Sequence, residues 1–287
     1  MKKMLFFMLY VIVSCVNNVF SDYPDQPFID YISASGEKVK LKDGVDLSEK
    51  NLENIPVHER LLIHREGGTL KNINFSKCYM YRPDFRETRF ENCNFSGAVL
   101  KEALFEGNLK GCNFTDAEIK GADIFLNGEQ LKSTADYKRK DLSGTVIYGN
   151  FFDVDFSGFD LSFTSFHHQL DKCNLTDAKI KGITIWDWSY GKLEYSENVR
   201  IEQLLTTRDF KEGFVDGIEV NQLAWPKDQV VNLSKMVFVN CKLSCANQAK
   251  IDLTDSVISN CNFENFKGLT LENIKSTWNY KNNRMVG

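Results

Sequence analysis

The chain lacks most of the features that announce chemistry. It contains no Gly-rich phosphate loop, no H-E-x-x-H, no nucleophile elbow and no two C-x-x-C pairs at zinc spacing, so the common routes to phosphate, metal and acyl-transfer chemistry have no sequence support. Histidine is scarce at 4 residues in 287. His58 and His64 do not form a ligand pair, and the neighbours His167 and His168 would point apart on an extended segment. No metal or cofactor is expected. Charge of one sign is also lacking. With 35 basic and 39 acidic residues the net charge is −4, which leaves no basic footprint for nucleic acid. Long apolar runs are absent too: Met4 to Val13 falls short of the roughly 20 residues of a membrane-spanning helix.

What is present is a beat of five. Large apolar residues stand at Leu70, Phe75, Met80, Phe85, Phe90, Phe95, Leu100 and Phe105, shift by one, and continue at Leu109, Phe114, Ile119 and Ile124. Neither the helix period of 3.6 nor the strand period of 2 produces this spacing, and self-similarity at a fixed period signals a stacked repeat. With the large residue called i, position i−2 is small or soft (Cys78, Thr88, Cys93, Ala98, Ala103, Cys112, Ala117, Ala122). Position i−1 is often Asn or Asp, and i+1 often Ser or Thr. The pattern returns around Leu142, Phe156, Leu161, Leu175 and Ile180, and again around Leu233, Phe238, Leu243, Leu253, Ile258 and Phe263. Two inward side chains per five residues, one large and one small, would fill a narrow interior. The expected core therefore includes Phe75, Phe85, Phe90, Phe95, Phe114, Phe156, Leu161, Leu175, Leu243, Leu253 and Phe263. Gln248 and Gly268 at i, and Pro83 and Phe159 at i−2, break the pattern.

This pattern resembles the pentapeptide-repeat family, whose repeat is written A(D/N)LXX. The resemblance implies a mainly β fold, a right-handed four-sided β-helix with four repeats per coil, over most of residues 68–268. Six of eight cysteines (Cys78, Cys93, Cys112, Cys173, Cys241 and Cys261) share position i−2, with Cys15 and Cys245 outside it. That shared phase reads as small buried hydrophobes rather than a disulfide framework, so these six thiols are expected to be free and inaccessible. The sequons at Asn74, Asn94, Asn113, Asn174 and Asn232 are by-products of the same pattern and no evidence of glycosylation.

A longer period lies over the short one. Glu59, Glu129, Glu202 and Glu272 open related segments 70, 73 and 70 residues apart. Leu131-Lys132-Ser133-Thr134 and Ile274-Lys275-Ser276-Thr277 are near copies, and Tyr137-Lys138, Phe210-Lys211 and Tyr280-Lys281 follow in three of them. Helix signals (Pro56, Asn127 as an N-cap, Gly67 past a last turn) suggest short helical elbows near 129–137, 202–210 and 272–280. These would separate solenoid modules 68–126, 141–187 and 218–268, after an N-terminal segment 22–67 with a capping helix. The elbows are either corner insertions that stack on one another or a binding ridge.

Lys2 and Lys3 ahead of the apolar run mark residues 1–21 as a signal peptide. Val19-Phe20-Ser21 before Asp22 suits signal peptidase, whereas Ile12-Val13-Ser14-Cys15 resembles a bacterial lipobox that would leave a lipid on Cys15. Either processing exports the chain to a secreted, periplasmic or envelope-anchored location, and a lipid on Cys15 would be its membrane contact. The expected function is a noncatalytic scaffold for an unidentified protein or envelope component, with no nucleic acid. Three alternatives stand beside it. One is an enzyme with a site on loops or elbows. Another is glycan binding through Trp186, Trp188 and Tyr190. The third, implied by the family, is a DNA mimic that binds gyrase, against which stand the mild charge and the export signal. The carboxylates Asp153 and Asp155 fall where repeat acids are expected and do not by themselves suggest acid–base chemistry.

Overall fold

The computed structural model describes residues 29–32, 38–52, 69–86, 88–105, 107, 109–167, 170, 172–186, 199–226, 229–245, 250–264, 266 and 268–284. Within each repeat, residues i to i+3 form a tight turn. Cys78 N–H donates to Phe75 O (3.1 Å) and Ala98 N–H to Phe95 O (3.0 Å). The residue at i+2 takes positive φ, as at Lys77 (56°), Gly97 (64°), Glu102 (56°) and Asp116 (59°). A left-handed non-glycine residue costs on the order of 1–2 kcal/mol, so the turn persists because its neighbours hold it. The i−1 side chain is one such hold: Asn74 Oδ1 accepts from Ser76 N–H (3.1 Å), and Asn94 Oδ1 from Ser96 N–H (3.1 Å). Where i−1 is Asp155 or Asp252, hydrogen bonds from Ser157 or Thr254 hold the carboxyl below its ordinary range. That contribution is present above the ordinary carboxyl pKa and is lost as pH falls through the lower folded value.

Turning at every repeat aims backbone N–H and C=O groups along the stack rather than across the coil. Phe75 N–H donates to Asn94 O (2.7 Å), and Phe95 N–H to Asn113 O (2.8 Å). The result is a mainly β, parallel-strand solenoid of about nine turns. Its longest face is a nine-stranded parallel sheet running through Asp84–Phe85, Leu104–Phe105, Asp123–Phe125, Val146–Tyr148, Ser165–His167, Thr184–Trp186, Glu219–Leu223, Lys242–Cys245 and Asn262–Glu264. Identical positions meet across coils, as in Ile124↔Ile147↔Phe166↔Ile185.

All twelve beat residues from Leu70 to Ile124 are buried, as are Cys78, Thr88, Cys93, Ala98, Ala103, Cys112, Ala117 and Ala122 at i−2. Phe75, Phe95 and Phe114 stack in one column with ring centroids 4.9 and 5.1 Å apart and interplanar angles of 10° and 8°. Phe90 and Phe105 meet this column edge-on. Phe156, Leu161, Leu175, Leu243 and Leu253 are buried in the later modules. Four of the five sequon asparagines bond along the stack: Asn74 Nδ2 to Asp46, Asn94 Nδ2 to Asn74, Asn113 Nδ2 to Asn94 and Asn174 Nδ2 to Asp155.

Four expectations change. The solenoid starts earlier than residue 68: Leu41, Leu47 and Leu52 are buried, and Asp46 and Asn51 bridge to Asn74 and Tyr79. Asp46-Leu47-Ser48 already carries the repeat pattern, but the gap to Leu70 interrupts the beat. The third module opens at Phe214–Asp216, which pairs with Val237–Val239, rather than at 218. Off-phase Cys245 is nevertheless buried, because the register slips between Val220 and Leu223 and brings Leu223 opposite Cys245. Lastly, Phe263, Ile258 and Cys261 are only partly buried, since no further described strand lies beyond Asn262–Glu264 in that sheet. Residues 1–28 and 53–68, with Cys15, the signal segment, Pro56, His58, Glu59, His64 and Gly67, lie outside the described residues.

Phe95→Ala should reduce the unfolding free energy by about 3–5 kcal/mol in equilibrium denaturation, because it opens a void between two stacked rings. Phe95→Asp should abolish cooperative unfolding, since it would bury an unpaired carboxylate.

Candidate interaction surfaces

The described elbows are α1 (Gly128–Ser133) with α2 (Ala135–Lys138), α3 (Ile201–Leu205) with α4 (Arg208–Lys211), and α5 (Leu271–Ser276) with α6 (Trp278–Lys281). Asn127 caps α1 as read from sequence: its side chain accepts from Gln130 N–H while Gln130 Oε1 accepts from Asn127 N–H. All three elbows sit on one edge of the solenoid, over the same positions of the coil below. Asp116 N–H donates to Ser133 O, Asp177 N–H to Thr206 O and Asp255 N–H to Ser276 O, each at 2.9 Å.

Helical backbone satisfies its own hydrogen bonds, so an elbow leaves the coil beneath it with unanswered groups. Side chains answer them. Gln130 Nε2 donates to Leu109 O (2.9 Å) and Cys112 O (3.1 Å), and Gln203 Nε2 donates to Leu170 O (3.1 Å) and Cys173 O (2.8 Å). In the third copy Asn273 Nδ2 donates to Ile251 O (2.7 Å). On the acceptor side, Asp136 takes the N–H of Ile119, Asp209 that of Ile180 (2.8 Å), and Asn279 that of Ile258 (2.7 Å). Lys138–Asp116, Lys211–Asp177 and Lys281–Asp255 close each elbow at 2.6–2.7 Å. Lys211 also holds the Asp177 carboxyl below its ordinary range.

The sequence signal that all three copies share, Glu-(Gln/Asn)-(Leu/Ile) followed by Thr, (Asp/Asn), (Tyr/Phe) and Lys, is therefore spent mostly on the stack. Leu131 and Leu204 are fully buried. Tyr137 hydroxyl donates to Asp155 O (2.7 Å) in the coil above, and its ring rests on Phe159 at 4.8 Å. This geometry favours the stacking corner over the binding ridge. The elbows turn Glu129, Glu202 and Glu272 outward, with Lys132 paired to Glu129 at 3.0 Å, and the third elbow also exposes Leu271, Trp278 and Tyr280.

The nine-stranded face carries a feature the repeat pattern obscures. At i+1 on four successive strands stand Phe125, Tyr148, His167 and Trp186, held in register by the pairings of their strands. Phe125 and Tyr148 stack at 4.3 Å and 12°, and Tyr148 and His167 at 4.6 Å and 16°. The rings are half-buried. The faces of Phe125, Tyr148 and His167 cover one another, and Trp186 follows in register on the next strand. Of Trp186, Trp188 and Tyr190, only Trp186 belongs to the described residues. The column was discoverable as aromatic residues after Ile124, Ile147, Phe166 and Ile185, but single residues in register become visible only once coils of unequal length are aligned. His168 lies outside the described residues, and Asp153 and Asp155 occupy ordinary repeat positions, Asp153 in the left-handed turn site (φ 53°).

Elsewhere charges pair between coils: Lys77–Glu49, Lys71–Glu91, Lys101–Glu118, Lys120–Asp141, Lys181–Asp216 and Lys242–Glu219, all within 3.4 Å. Among the described residues no three His, Cys, Asp or Glu side chains converge as a metal-binding group. No described helix is long and apolar enough to cross a membrane.

A family model of the pentapeptide repeat, described as pentapeptide repeats, matches the chain in 8 copies over residues 66–97 and 84–124. Residues 66–124 therefore carry pentapeptide repeats, and the β-solenoid continues their winding through the later coils. Among solved structures this pentapeptide-repeat chain is similar to a trypsin-treated form of QnrB1, a plasmid-mediated fluoroquinolone resistance protein, at 17% identity and TM-score 0.24, covering 78% of this chain and 92% of that one. It is also similar to HetL, a pentapeptide repeat protein involved in heterocyst differentiation regulation from the cyanobacterium Nostoc, at 15% identity and TM-score 0.19, covering 77% and 87%. No curated protein sequence matches the chain.

If the elbows are structural corners, Leu204→Ala should destabilise the fold by about 2–4 kcal/mol. Gln203→Ala should cost about 1–3 kcal/mol by leaving two carbonyls unanswered. Lys132→Ala and Lys275→Ala should leave the melting temperature within about a degree of the parent.

Proposed function

We propose that this pentapeptide-repeat chain is an exported, noncatalytic scaffold whose nine-stranded face receives a protein partner of the cell envelope. The observation that carries the reading is the half-buried aromatic column Phe125, Tyr148 and His167, with Trp186 next in register, on a sheet whose strands are fixed from both sides. Aromatic residues that project from a rigid surface bind at low entropic cost and commonly anchor protein interfaces. Repeat solenoids use such extended surfaces for recognition without a buried reaction centre. The cross-coil pairing of lysines with carboxylates argues against a DNA mimic, which needs rows of unneutralised acid. Export rests on Lys2, Lys3 and the apolar run that follows them. Whether processing ends before Asp22 or before a lipidated Cys15 decides between a secreted or periplasmic protein and an anchored one.

Fractionation and intact-mass measurement of the natively expressed chain should find a mature form that begins at Asp22 or at acylated Cys15. A cytoplasmic chain retaining Lys2 and Lys3 would defeat the export reading. In affinity capture from the envelope fraction, Tyr148→Ala with Trp186→Ala should weaken retention of the captured protein at least tenfold, about 1.4 kcal/mol. Lys132→Ala with Lys275→Ala should leave it unchanged. The reverse pattern would move the interface to the elbow edge.

A further inference from the structure

Seven cysteines are described, all as thiols, and six of them are buried; Cys261 alone is half-buried. Cys241 and Cys261 occupy the same position on consecutive coils, because the strands that follow them pair in register, Lys242 with Asn262 and Leu243 with Phe263. Neighbouring parallel strands lie about 4.8 Å apart, inside the ~4.4–6.8 Å window of Cα separations that a disulfide spans. The sulfur of Cys261 accepts the backbone N–H of Cys241 at 3.4 Å. The Cys241 thiol faces the Val239 and Val215 carbonyls at 3.3 and 3.5 Å.

We propose that Cys261 and Cys241 form a redox-reactive dithiol, in which the half-exposed Cys261 attacks small-molecule disulfides and the buried Cys241 resolves the adduct. Donation from the Cys241 thiol pulls Cys261 down to about 7, and the same hydrogen bond, with burial, pushes Cys241 up. The assignment of nucleophile and resolving partner thus agrees with exposure and with thiolate chemistry. The molecule contains its own control. Cys93 and Cys112 also stack on consecutive coils, but both are buried and the α1 elbow covers Cys112 through Gln130. The same pairing without access should be inert.

The reaction balances as two exchanges. The Cys261 thiolate attacks one sulfur of the small disulfide, the S–S bond breaks, and one thiolate leaves and takes a proton from water. Cys241 then gives its proton to solvent and attacks the Cys261 sulfur, expelling the second thiolate. Two protein thiols are oxidised to one disulfide, and one small disulfide is reduced to two thiols.

The test is incubation of the full chain with oxidised glutathione, followed by intact and peptide mass spectrometry. The parent should lose two hydrogens and yield a crosslinked peptide pair containing Cys241 and Cys261. Cys241→Ser should instead accumulate one glutathione on Cys261, and Cys261→Ser should do neither. Cys93 and Cys112 should stay unmodified until urea is added. Should either variant fail to fold, iodoacetamide labelling of the parent decides: Cys261 must react at least about tenfold faster than Cys93 and Cys112. Equal rates, or a folded chain that ignores glutathione disulfide while the unfolded chain takes it up, would overturn the proposal.

Discussion

The whole structure depends on one constraint: each coil must hand its backbone hydrogen bonds to the coils above and below. A turn at every fifth residue leaves no long strand to pair within a coil, so N–H and C=O groups point along the stack and only an in-register neighbour can satisfy them. Register then propagates to everything else. Phe95 lands on Phe75, Asn94 on Asn74, and Ile147 on Ile124 because their backbones are bonded at that height. The left-handed residue at i+2, costly in isolation, is tolerated because the turn bond and the i−1 side chain hold it on either side.

The elbows show how the constraint survives interruption. A helix inserted into a solenoid should strand the donors and acceptors of the coil it covers. Here Gln130, Gln203 and Asn273 supply amide N–H groups in place of missing backbone donors, while Asp136, Asp209 and Asn279 supply the acceptors. The shorter Asn in the third copy still reaches a carbonyl. Since unanswered buried carbonyls and amides are expensive, these side chains are the reason the elbow residues repeat so closely. The insertion also resets coil length: Ile124 to Ile147 takes 23 residues where Ile147 to Phe166 takes 19, yet the nine-stranded face passes through unbroken.

The described interior is occupied by packed side chains and stack hydrogen bonds. Many outward charges pair between coils, and the inward side chains of the elbows hold the stack. Beside these pairs stand an aromatic column on the long face, a thiol pair at the last described strand, and separate exposed residues such as Phe152, Phe163 and Phe214. These are features of position rather than motif, so short sequence patterns do not reveal them.

The sequence by itself determined the repeat, most of the inward residues and the three described elbows, because a five-residue beat of large and small side chains requires stacking, and the resemblance to pentapeptide repeats supplied the winding. It also carried the capping of α1 by Asn127. It did not determine where the stack begins, since the pattern at Asp46–Ser48 is separated from Leu70 by residues that keep no beat. Nor did it show that Cys245 is buried out of phase, that Cys261 is open while Cys93 is closed, or that Phe125, Tyr148, His167 and Trp186 form one column. Each of those depends on which coil lies above which. Coils of 19, 20 and 23 residues place in contact residues whose separations share no common period, and only the hydrogen-bonded stack decides which of them meet.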